Sequence, residues 1–382
     1  MAQRQFRTDD TDLWIDRYGQ GSDGALTVSG NVTDSPTDAA CTGTSGTTSL
    51  SATNASFASG QLILIHQSAG TGVGAWELNR ISSYSTGTIT TAYSLVNSYN
   101  SGAQVIVMKQ YTAITVNSSV TLSAKQWDGS VGGIIAYVCS GLTTLTGGLS
   151  ANALGYRGGA GAGAANGQAT QGEAELGLGT GKNPDDSGGN ANGEAGGGGR
   201  GGAGGGTDGT GIQSDTTLKT KFLFGGSGGG GSSNSGSGGT GGNAGGLILL
   251  ITKSLTVTGT LSANGGTGSA GAGGHGGGGG AGGGCIIIKG QTLTLGSSLV
   301  TTTGGTTGGD NTGGDPGGRG GAQTSASGTN NNDGSGGAVA TSGRIHAEYS
   351  QLLSGTTNPT VDSVQDVIFD DLPLEQNYTL LM

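Results

Sequence analysis

The chain has 382 residues, of which 88 are glycine, and its formal net charge is −10. Apolar residues make up only 32% and aromatic residues 4%, so a single large hydrophobic core is not expected. The 15 basic residues are scattered, which argues against nucleic-acid or anionic-membrane partners. No apolar run reaches the roughly 18 residues that span a bilayer.

Residues 1–23 form a short polar arm with one apolar cluster, Leu13-Trp14-Ile15. An arm of this kind either docks onto a partner or packs on its own neighbouring domain. The start lacks the apolar core of a signal peptide, so either a signal has been removed or the protein leaves its cell by lysis. The presence of Met1 favours lysis.

Residues 24–118 alternate short apolar runs with Gly, Ser and Asn turn residues. The pattern predicts a compact antiparallel β-barrel or sandwich. Trp76, in this range, and Trp127, just beyond it, are expected to anchor a core. The predicted strands are Gln61–Ile65, Trp76–Ile81, Thr88–Tyr93 and Gln104–Met108.

Residues 119–349 contain a repeat: a Gly-Gly pair, an apolar strand, a turn, a Thr-rich strand and a glycine-rich tract. The identical Leu-Ser-Ala-Asn at 149–152 and 261–264 shows that the repeat is more than a bias of composition. The four copies begin at Gly132-Gly133, Gly245-Gly246, Gly283-Gly284 and, in degenerate form, Gly336-Gly337.

Within the glycine tracts the other residues fall three apart, as at Ser237, Thr240 and Asn243. This period matches a left-handed extended helix with three residues per turn and no internal hydrogen bonds. Such chains must bond sideways, and glycine faces let them approach, while the third residue points outward. A flexible linker is the plain alternative, and collagen is disfavoured because proline is scarce.

Residues 350–382 leave the repeat and are predicted to form a C-terminal assembly strand and tail. Apolar ends without a polar cap favour pairing with an edge strand or pocket, in this copy or another. The predicted assembly residues at the two termini are Leu13, Trp14, Ile15, Phe369 and Leu380.

The glycine tracts, over roughly residues 155–340, resemble the glycine-rich tip adhesins of T-even-type phage long tail fibres. That resemblance implies polyglycine II helices packed as a sandwich, whose turns bind the host surface. Residues 60–127, with Trp76–Ile81 and Gly102–Ile106, look like modules of large glycine-rich bacterial surface and phage tail proteins. The strand repeats are longer than the adhesins' short turns, which leaves a β-solenoid with polyglycine insertions as an alternative.

Residues that could carry chemistry have plainer explanations. The three cysteines, odd in number, are expected to be buried free thiols. The three histidines lie far apart in sequence, and close carboxylates lie in loops without aromatic residues to stack a sugar, so neither a metal nor a glycan-cleaving site is expected. The residues concerned are Cys41, Cys139, Cys285, His66, His275, His346, Glu173, Glu175, Asp185 and Asp186. Asp310, Asp315 and Asp333 match no calcium loop.

The sequence therefore predicts a mostly β protein: a small antiparallel barrel or sandwich, then a glycine-rich β-repeat and polyglycine II sandwich, with almost no α-helix. The expected role is non-enzymatic host-surface recognition by a phage tail fibre or tip, without cofactor. The alternative is a repeat subunit of a virion fibre or bacterial extracellular filament, and an ice-binding protein is a distant third.

The expected location is the virion tail or the cell surface, with a host receptor and other fibre proteins as partners and a homo-oligomeric state. The outward residues predicted to bind the receptor are Tyr156, Arg157, Arg200, His275 and Arg319.

Overall fold

The computed structural model describes residues 18–161, 169–170, 172–174, 177–178, 218, 221–231, 237–272, 277–308 and 339–365, and every named element in these ranges is a β-strand. The first ten strands are β1 (Ala25–Val28), β2 (Val32–Thr33), β3 (Asp38–Gly43), β4 (Ser49–Ala52), β5 (Leu62–Gln67), β6 (Trp76–Ser85), β7 (Thr88–Thr91), β8 (Tyr99–Val107), β9 (Lys109–Tyr111) and β10 (Ala113–Val116). The others are β11 (Thr121–Ser123), β12 (Ile134–Leu145), β13 (Gly148–Ser150), β14 (Glu173–Ala174), β15 (Gly177–Leu178), β16 (Leu247–Val257), β17 (Thr260–Ser262), β18 (Cys285–Thr301), β19 (Arg344–Asn358) and β20 (Asp362–Gln365). No helix in these ranges is long and apolar enough to cross a membrane. The predicted mostly β class is confirmed.

Strands β3 to β8 close into an antiparallel barrel in the order β3-β4-β7-β6-β5-β8. Because side chains alternate along a strand, Ile63 and Ile65 of β5 point into the barrel core, whereas Leu62 and Leu64 join a second core outside it. The predicted small antiparallel barrel is confirmed. It occupies residues 38–107.

The remaining long strands stack in parallel as successive coils. Each coil contributes strands to two parallel rows, here called the first and the second arm of the stack. The first arm contains β1, β10, β12, β16, the first half of β18 and of β19, and β20; the second contains β2, β11, β13, β17 and the ends of β18 and β19. Leu149 pairs with Leu261, so the two Leu-Ser-Ala-Asn copies occupy equivalent positions in adjacent coils. A buried apolar core lies between the arms and includes Ile135, Ile248 and Ile286.

Two sequence-based assignments need correction. Strands β1, β2 and β10 fall in the range predicted for the barrel, yet they pair within the parallel stack. The fourth repeat does not begin at Gly336-Gly337: Arg344 is the register partner of Cys285, so Gly343 is the equivalent of Gly284. Backbone pairing fixes that register, and the sequence of this degenerate copy does not reveal it.

The last coil shows how short the repeating unit can be. Asp362 pairs with His346, so a complete coil closes in 362 − 346 = 16 residues. The corresponding partners Leu247 and Cys285 are 285 − 247 = 38 residues apart, because a glycine-rich excursion separates their coils. The stack is therefore a parallel β-coil with glycine-rich insertions, as in the solenoid alternative.

A second core joins the barrel to the first arm of the stack. It contains Trp76 and Trp127, which confirms that both tryptophans anchor a core, and it also takes in the segment that includes Leu218, Phe222 and Phe224. The indole N–H of Trp76 donates to the carbonyl of Leu218 at 3.0 Å. This segment is thus inserted between the barrel and the stack.

All three cysteines, Cys41, Cys139 and Cys285, are buried free thiols, as predicted. Each lies in one of the three separate cores.

His66 in β5 is a neutral, buried histidine in the region where the barrel packs against the segment of Phe222 and against the stack, here called the joint. Its Nε2 lies 2.6 Å from the carbonyl oxygen of Phe222, which can only accept, so Nε2 carries the proton and Nδ1 accepts from the Ser68 hydroxyl at 2.7 Å. Burial lowers the pKa of His66 from 6.5 to about 4.

Acidification is therefore expected to weaken the joint. Above pH 6.5 the imidazole of His66 is neutral in both the folded and the unfolded protein. Between pH 6.5 and about 4 it is protonated in the unfolded chain but stays neutral in the folded protein, so acidification over this range lowers the free energy of unfolding by about 3 kcal/mol. Urea unfolding across this range, compared with His66→Gln, isolates the contribution. If the two proteins lose the same stability on acidification, His66 is not the group responsible.

Candidate functional site

The described glycine-rich segments bond to one another at intervals of three residues. The N–H groups of Gly225, Gly228 and Gly231 donate to the carbonyls of Gly245, Gly242 and Gly239, respectively, at 3.1, 2.9 and 2.8 Å. The N–H groups of Gly266, Ser269 and Ala272 donate in the same way to Asn243, Thr240 and Ser237 at 2.8, 2.8 and 2.9 Å. The period seen in the sequence is thus the period of the lateral hydrogen bonds.

Each segment bonds to several neighbours rather than to the two of a sheet. Segment 237–246 exchanges backbone hydrogen bonds with 155–159, 225–231, 263–272 and 277–284. Segments 225–231 and 277–284 are buried throughout. The glycine-rich segments therefore form a bundle, here called the glycine bundle, and not a further β-sheet.

Glycine is required because the backbones touch. A Cβ at Gly228 would lie 1.9 Å from the carbonyl oxygen of Gly279, and one at Gly278 would lie 1.9 Å from that of Thr240. At Gly158 the corresponding contact, to Gly241, is 2.0 Å. No side chain fits at these distances. Of the third-position residues predicted to point outward, Ser237 and Thr240 are exposed, whereas Asn243 is half-buried and its Oδ1 accepts a hydrogen bond from the N–H of Gly158 at 2.8 Å, so the prediction is wrong for Asn243.

The glycine bundle consists of segments that run out from the stack and return. Antiparallel bonds such as Gly278 N–H to Ser269 and Ala281 N–H to Gly266 define the pair 263–272 and 277–284. The ends of the outgoing and returning segments are direct neighbours: Gly231 bonds to Gly239, and Gly308 bonds to Gly278. All the excursions thus open at one end of the bundle, here called the distal end. The four pairs are 155–161 with 169–174, 225–231 with 237–246, 263–272 with 277–284, and 302–308 with 339–343.

Hydroxyl groups line the outer side of the bundle near this end. Thr240 Oγ1 lies 3.0 Å from Ser269 Oγ, and Thr306 Oγ1 donates to Thr267 Oγ1 at 3.3 Å. Such groups can donate and accept hydrogen bonds with a polar ligand.

Two of the predicted receptor-binding residues lie within the described residues, and their environments differ. Tyr156 is buried beside Trp127 and Phe224, and its hydroxyl donates to the carbonyl of Ser68. Its predicted role in receptor contact is therefore wrong: the ring supports the joint with the barrel. Arg157 is exposed, and its guanidinium pairs with Glu173.

The remaining predicted site residues fall outside the described residues. They are Arg200, His275 and Arg319 of the receptor set and Leu13, Trp14, Ile15, Phe369 and Leu380 of the assembly set. His275 belongs to the connection between Ala272 and Gly277, and Arg319 to that between Gly308 and Val339, so both connections start and finish at the distal end.

The stack contains a buried charged cluster that the sequence analysis missed. Lys289 Nζ lies 3.1 Å from Glu348 Oε2, and His346 lies between Glu348 and Asp362. The alternation around His346 predicts only an ordinary strand. The signal was available in Lys289, a charged residue that directly follows four apolar strand residues.

Within the part of the chain that the structure describes, no group of three or more His, Cys, Asp or Glu side chains is placed to hold a metal ion. Glu173, one of the carboxylates considered for glycan cleavage, is engaged by Arg157. Glu175, Asp185, Asp186, Asp310, Asp315 and Asp333 lie outside the described residues.

No protein-family model matches the chain, and no curated protein matches it. Among solved structures it is similar to the tailspike Gp54 of Acinetobacter baumannii bacteriophage AP22, solved in complex with A. baumannii capsular saccharide, at 9% identity and a TM-score of 0.20, covering 89% of this chain and 54% of that one. It is also similar to the tailspike gp49 of Pseudomonas phage LKA1, at 9% identity and a TM-score of 0.18, covering 89% of this chain and 69% of that one. A third similar structure is the tailspike gp61 of Pseudomonas phage phi297, at 9% identity and a TM-score of 0.18, with coverages of 89% and 54%. The chain spans about half the length of the first and third of these.

Proposed function

We propose that this protein is a non-enzymatic part of a phage tail fibre or tail tip that recognises the surface of the host bacterium. The observation that carries the proposal is the common distal end of the four excursions of the glycine bundle. The resemblance of the glycine tracts to tail-fibre tip adhesins, with their polyglycine II sandwich, supports the same role.

The bundle suits display because its framework does not depend on the residues that it presents. Inside it, backbone groups pair with backbone groups, and glycine faces fill the space between chains. Because backbone bonds hold the framework, the sequences of the connections at the distal end can vary to fit a receptor. We expect a glycan or protein receptor, other fibre proteins and further copies of this chain as partners.

Three carboxylates of the described residues are paired with basic side chains. Glu173 pairs with Arg157, Asp38 with Lys125 at 3.0 Å, and Glu348 with Lys289 at 3.1 Å. Glycoside hydrolysis needs two carboxyl groups that face one scissile bond, and these groups face bases instead.

A second candidate is a repeat subunit of a virion fibre or bacterial extracellular filament. The C-terminal end of the stack favours it, because Leu352 is 49% and Val364 40% exposed there and all four residues of β20 are exposed. An exposed strand edge beside apolar side chains is a surface on which another chain can pair.

Cell binding tests the first candidate. Fluorescently labelled protein is expected to bind saturably to some strains in a panel of bacteria. His275→Ala combined with Arg319→Ala is expected to weaken that binding about tenfold or more, because both residues belong to connections at the distal end. Arg80→Ala on the barrel is the matched control and should bind like the wild type.

The location of the protein separates the two candidates. Gold-labelled antibody is expected at a single position at the end of each fibre in electron micrographs. Regularly spaced label along a filament, together with an absence of saturable cell binding, would replace the adhesin by the filament subunit.

A further inference from the structure

The outer edge of the last long strand is covered only in part. Strand β20 pairs with residues 346–349 of β19, and within the part of the chain that the structure describes no strand pairs with the outer edge of β19 from Leu352 to Asn358. On its inner edge the same stretch pairs with β18. This stretch, here called the open edge, therefore presents backbone N–H and C=O groups to which a further strand can bond.

Side chains on the open edge are less buried than their equivalents in the preceding coils. Leu255, Leu293 and Leu353 are successive register partners, and the first two are at most 1% exposed because the next coil covers each of them. Leu353 is only partly buried, and Leu352, which points to the other face, is 49% exposed. The open edge thus lacks the strand that would cover it as the next coil.

The chain itself runs towards this site. Each residue of β20 pairs with the residue 16 positions earlier in β19, for example 365 with 349. The same offset assigns the following residues to the open edge, from 352 + 16 = 368 to 358 + 16 = 374. Ile368 then falls opposite Leu352, and Phe369 falls opposite Leu353.

The alternation of apolar residues agrees with that assignment. Val361 packs against the core between the two arms, and every second residue after it shares its face of the strand. Val367 and Phe369 belong to this series, so the assignment turns two apolar side chains towards the core. Ile368 has the opposite parity and falls on the outer face, as Leu352 does.

The residues that come next are suited to a free outer edge. Asp370 and Asp371 are charged, and Pro373 has no N–H to offer to a further strand. Charged residues and proline are means by which proteins keep edge strands from pairing with other chains. The apolar run is therefore followed directly by residues that oppose further pairing.

We propose that the open edge is the docking site of the chain's own residues 366–374, which pair with β19 and close the C-terminal end of the stack. A second copy is a poorer occupant, because each complete coil adds strands to both arms and β20 already covers the start of β19. The open edge itself has no charged residue, so backbone hydrogen bonds and apolar packing hold the segment. An end closed in this way offers no edge to another copy, which favours a single tip over a repeating filament.

Paired cysteines test the register. Residues opposite each other on adjacent strands have Cα atoms about 4.8 Å apart, within the range of a disulfide. In the full chain, Leu352→Cys with Ile368→Cys is expected to form an intramolecular disulfide on mild oxidation, identified by peptide mass mapping. The native cysteines are buried and do not compete. Leu352→Cys with Phe369→Cys is the matched control and is expected to stay reduced, because its side chains fall on opposite faces.

Three outcomes of the cysteine experiment would overturn the proposal. Equal cross-linking of the two pairs would mean that residues 366–374 have no fixed register on the open edge. Disulfide-linked dimers would mean that the occupant belongs to a second copy. The absence of any cross-link would mean that this segment does not reach the site.

Hydrogen exchange tests the closure without a substitution in the open edge. In the full chain the amides of residues 352–358 are expected to be protected, and ending the chain after Gln365 is expected to speed their exchange about tenfold or more. Unchanged protection of β16 would show that the shortened protein is folded. Fast exchange of residues 352–358 in the full chain, or equal exchange in the two folded proteins, would contradict the proposal. The cysteine pairs decide it if the shortened protein does not fold.

Discussion

Replacing Gly228 with alanine is expected to destabilise the protein by about 3 kcal/mol and to disrupt the glycine bundle. The new Cβ would lie 1.9 Å from the carbonyl oxygen of Gly279, and the nitrogen of Gly242 is at 3.0 Å. These are backbone atoms held by their own hydrogen bonds, so they cannot rotate away as a side chain could. The substitution forces two segments of the bundle apart.

Gly30→Ala is the matched control. A Cβ at Gly30 would meet nothing within 4 Å, and Gly30 is not among the residues with positive φ, so alanine fits without strain. We expect its stability to stay within about 0.5 kcal/mol of the wild type. Thermal and urea unfolding of both variants provide the comparison. Equal stability of Gly228→Ala and Gly30→Ala would show that the segments are linkers in solution.

The ordering entropy of glycine explains why the bundle needs so many contacts. Glycine loses more conformational freedom on folding than any other residue, and extended chains have no internal hydrogen bonds to offset the loss. Here the offset comes from neighbours: segment 237–246 bonds to four others. The close approach of the backbones also leaves no room for side chains, so this packing requires the high glycine content of these segments.

Features with a local period were predictable from the sequence. Short apolar or alternating runs located four of the six barrel strands: the predicted runs Gln61–Ile65, Trp76–Ile81, Thr88–Tyr93 and Gln104–Met108 overlap β5, β6, β7 and β8. Three-residue spacing predicted sideways bonding between glycine tracts, because a chain with three residues per turn presents equivalent groups to one neighbour every third residue.

Features that depend on contacts between residues far apart in the chain were not predictable from the sequence. Strands β1 and β10 have ordinary β patterns, and nothing in them indicates that they pair with each other in parallel rather than within the barrel. Tyr156 stands beside a glycine tract, yet its ring packs against Trp127 and Phe224. Such contacts join residues far apart in the chain, and a single sequence does not show which of them meet.

The charged cluster shows the same limit in the stack. Lys289 and Glu348 are 59 residues apart in sequence (348 − 289), and only the parallel register of β18 and β19 places them side by side. A charged residue at a buried strand position predicts that a partner exists, but the partner's identity depends on topology.

Replacing Lys289 with methionine is expected to destabilise the protein by about 3–5 kcal/mol, because it removes the ammonium group that lies 3.1 Å from the buried carboxylate of Glu348. The side chains are 2% and 1% exposed, so water cannot take the place of the ammonium group. Methionine resembles lysine in length and volume, so the loss measures the missing charge rather than a cavity.

The double variant Lys289→Met/Glu348→Leu is expected to recover most of that stability, because it removes the buried carboxylate together with the ammonium group. Urea unfolding of the wild type, both single variants and the double variant gives the coupling free energy between the two positions. A coupling free energy near zero would mean that the two charges do not interact across β18 and β19. Equal stability of Lys289→Met and the wild type would mean that Glu348 has access to water in solution, and the burial of the cluster would then be wrong.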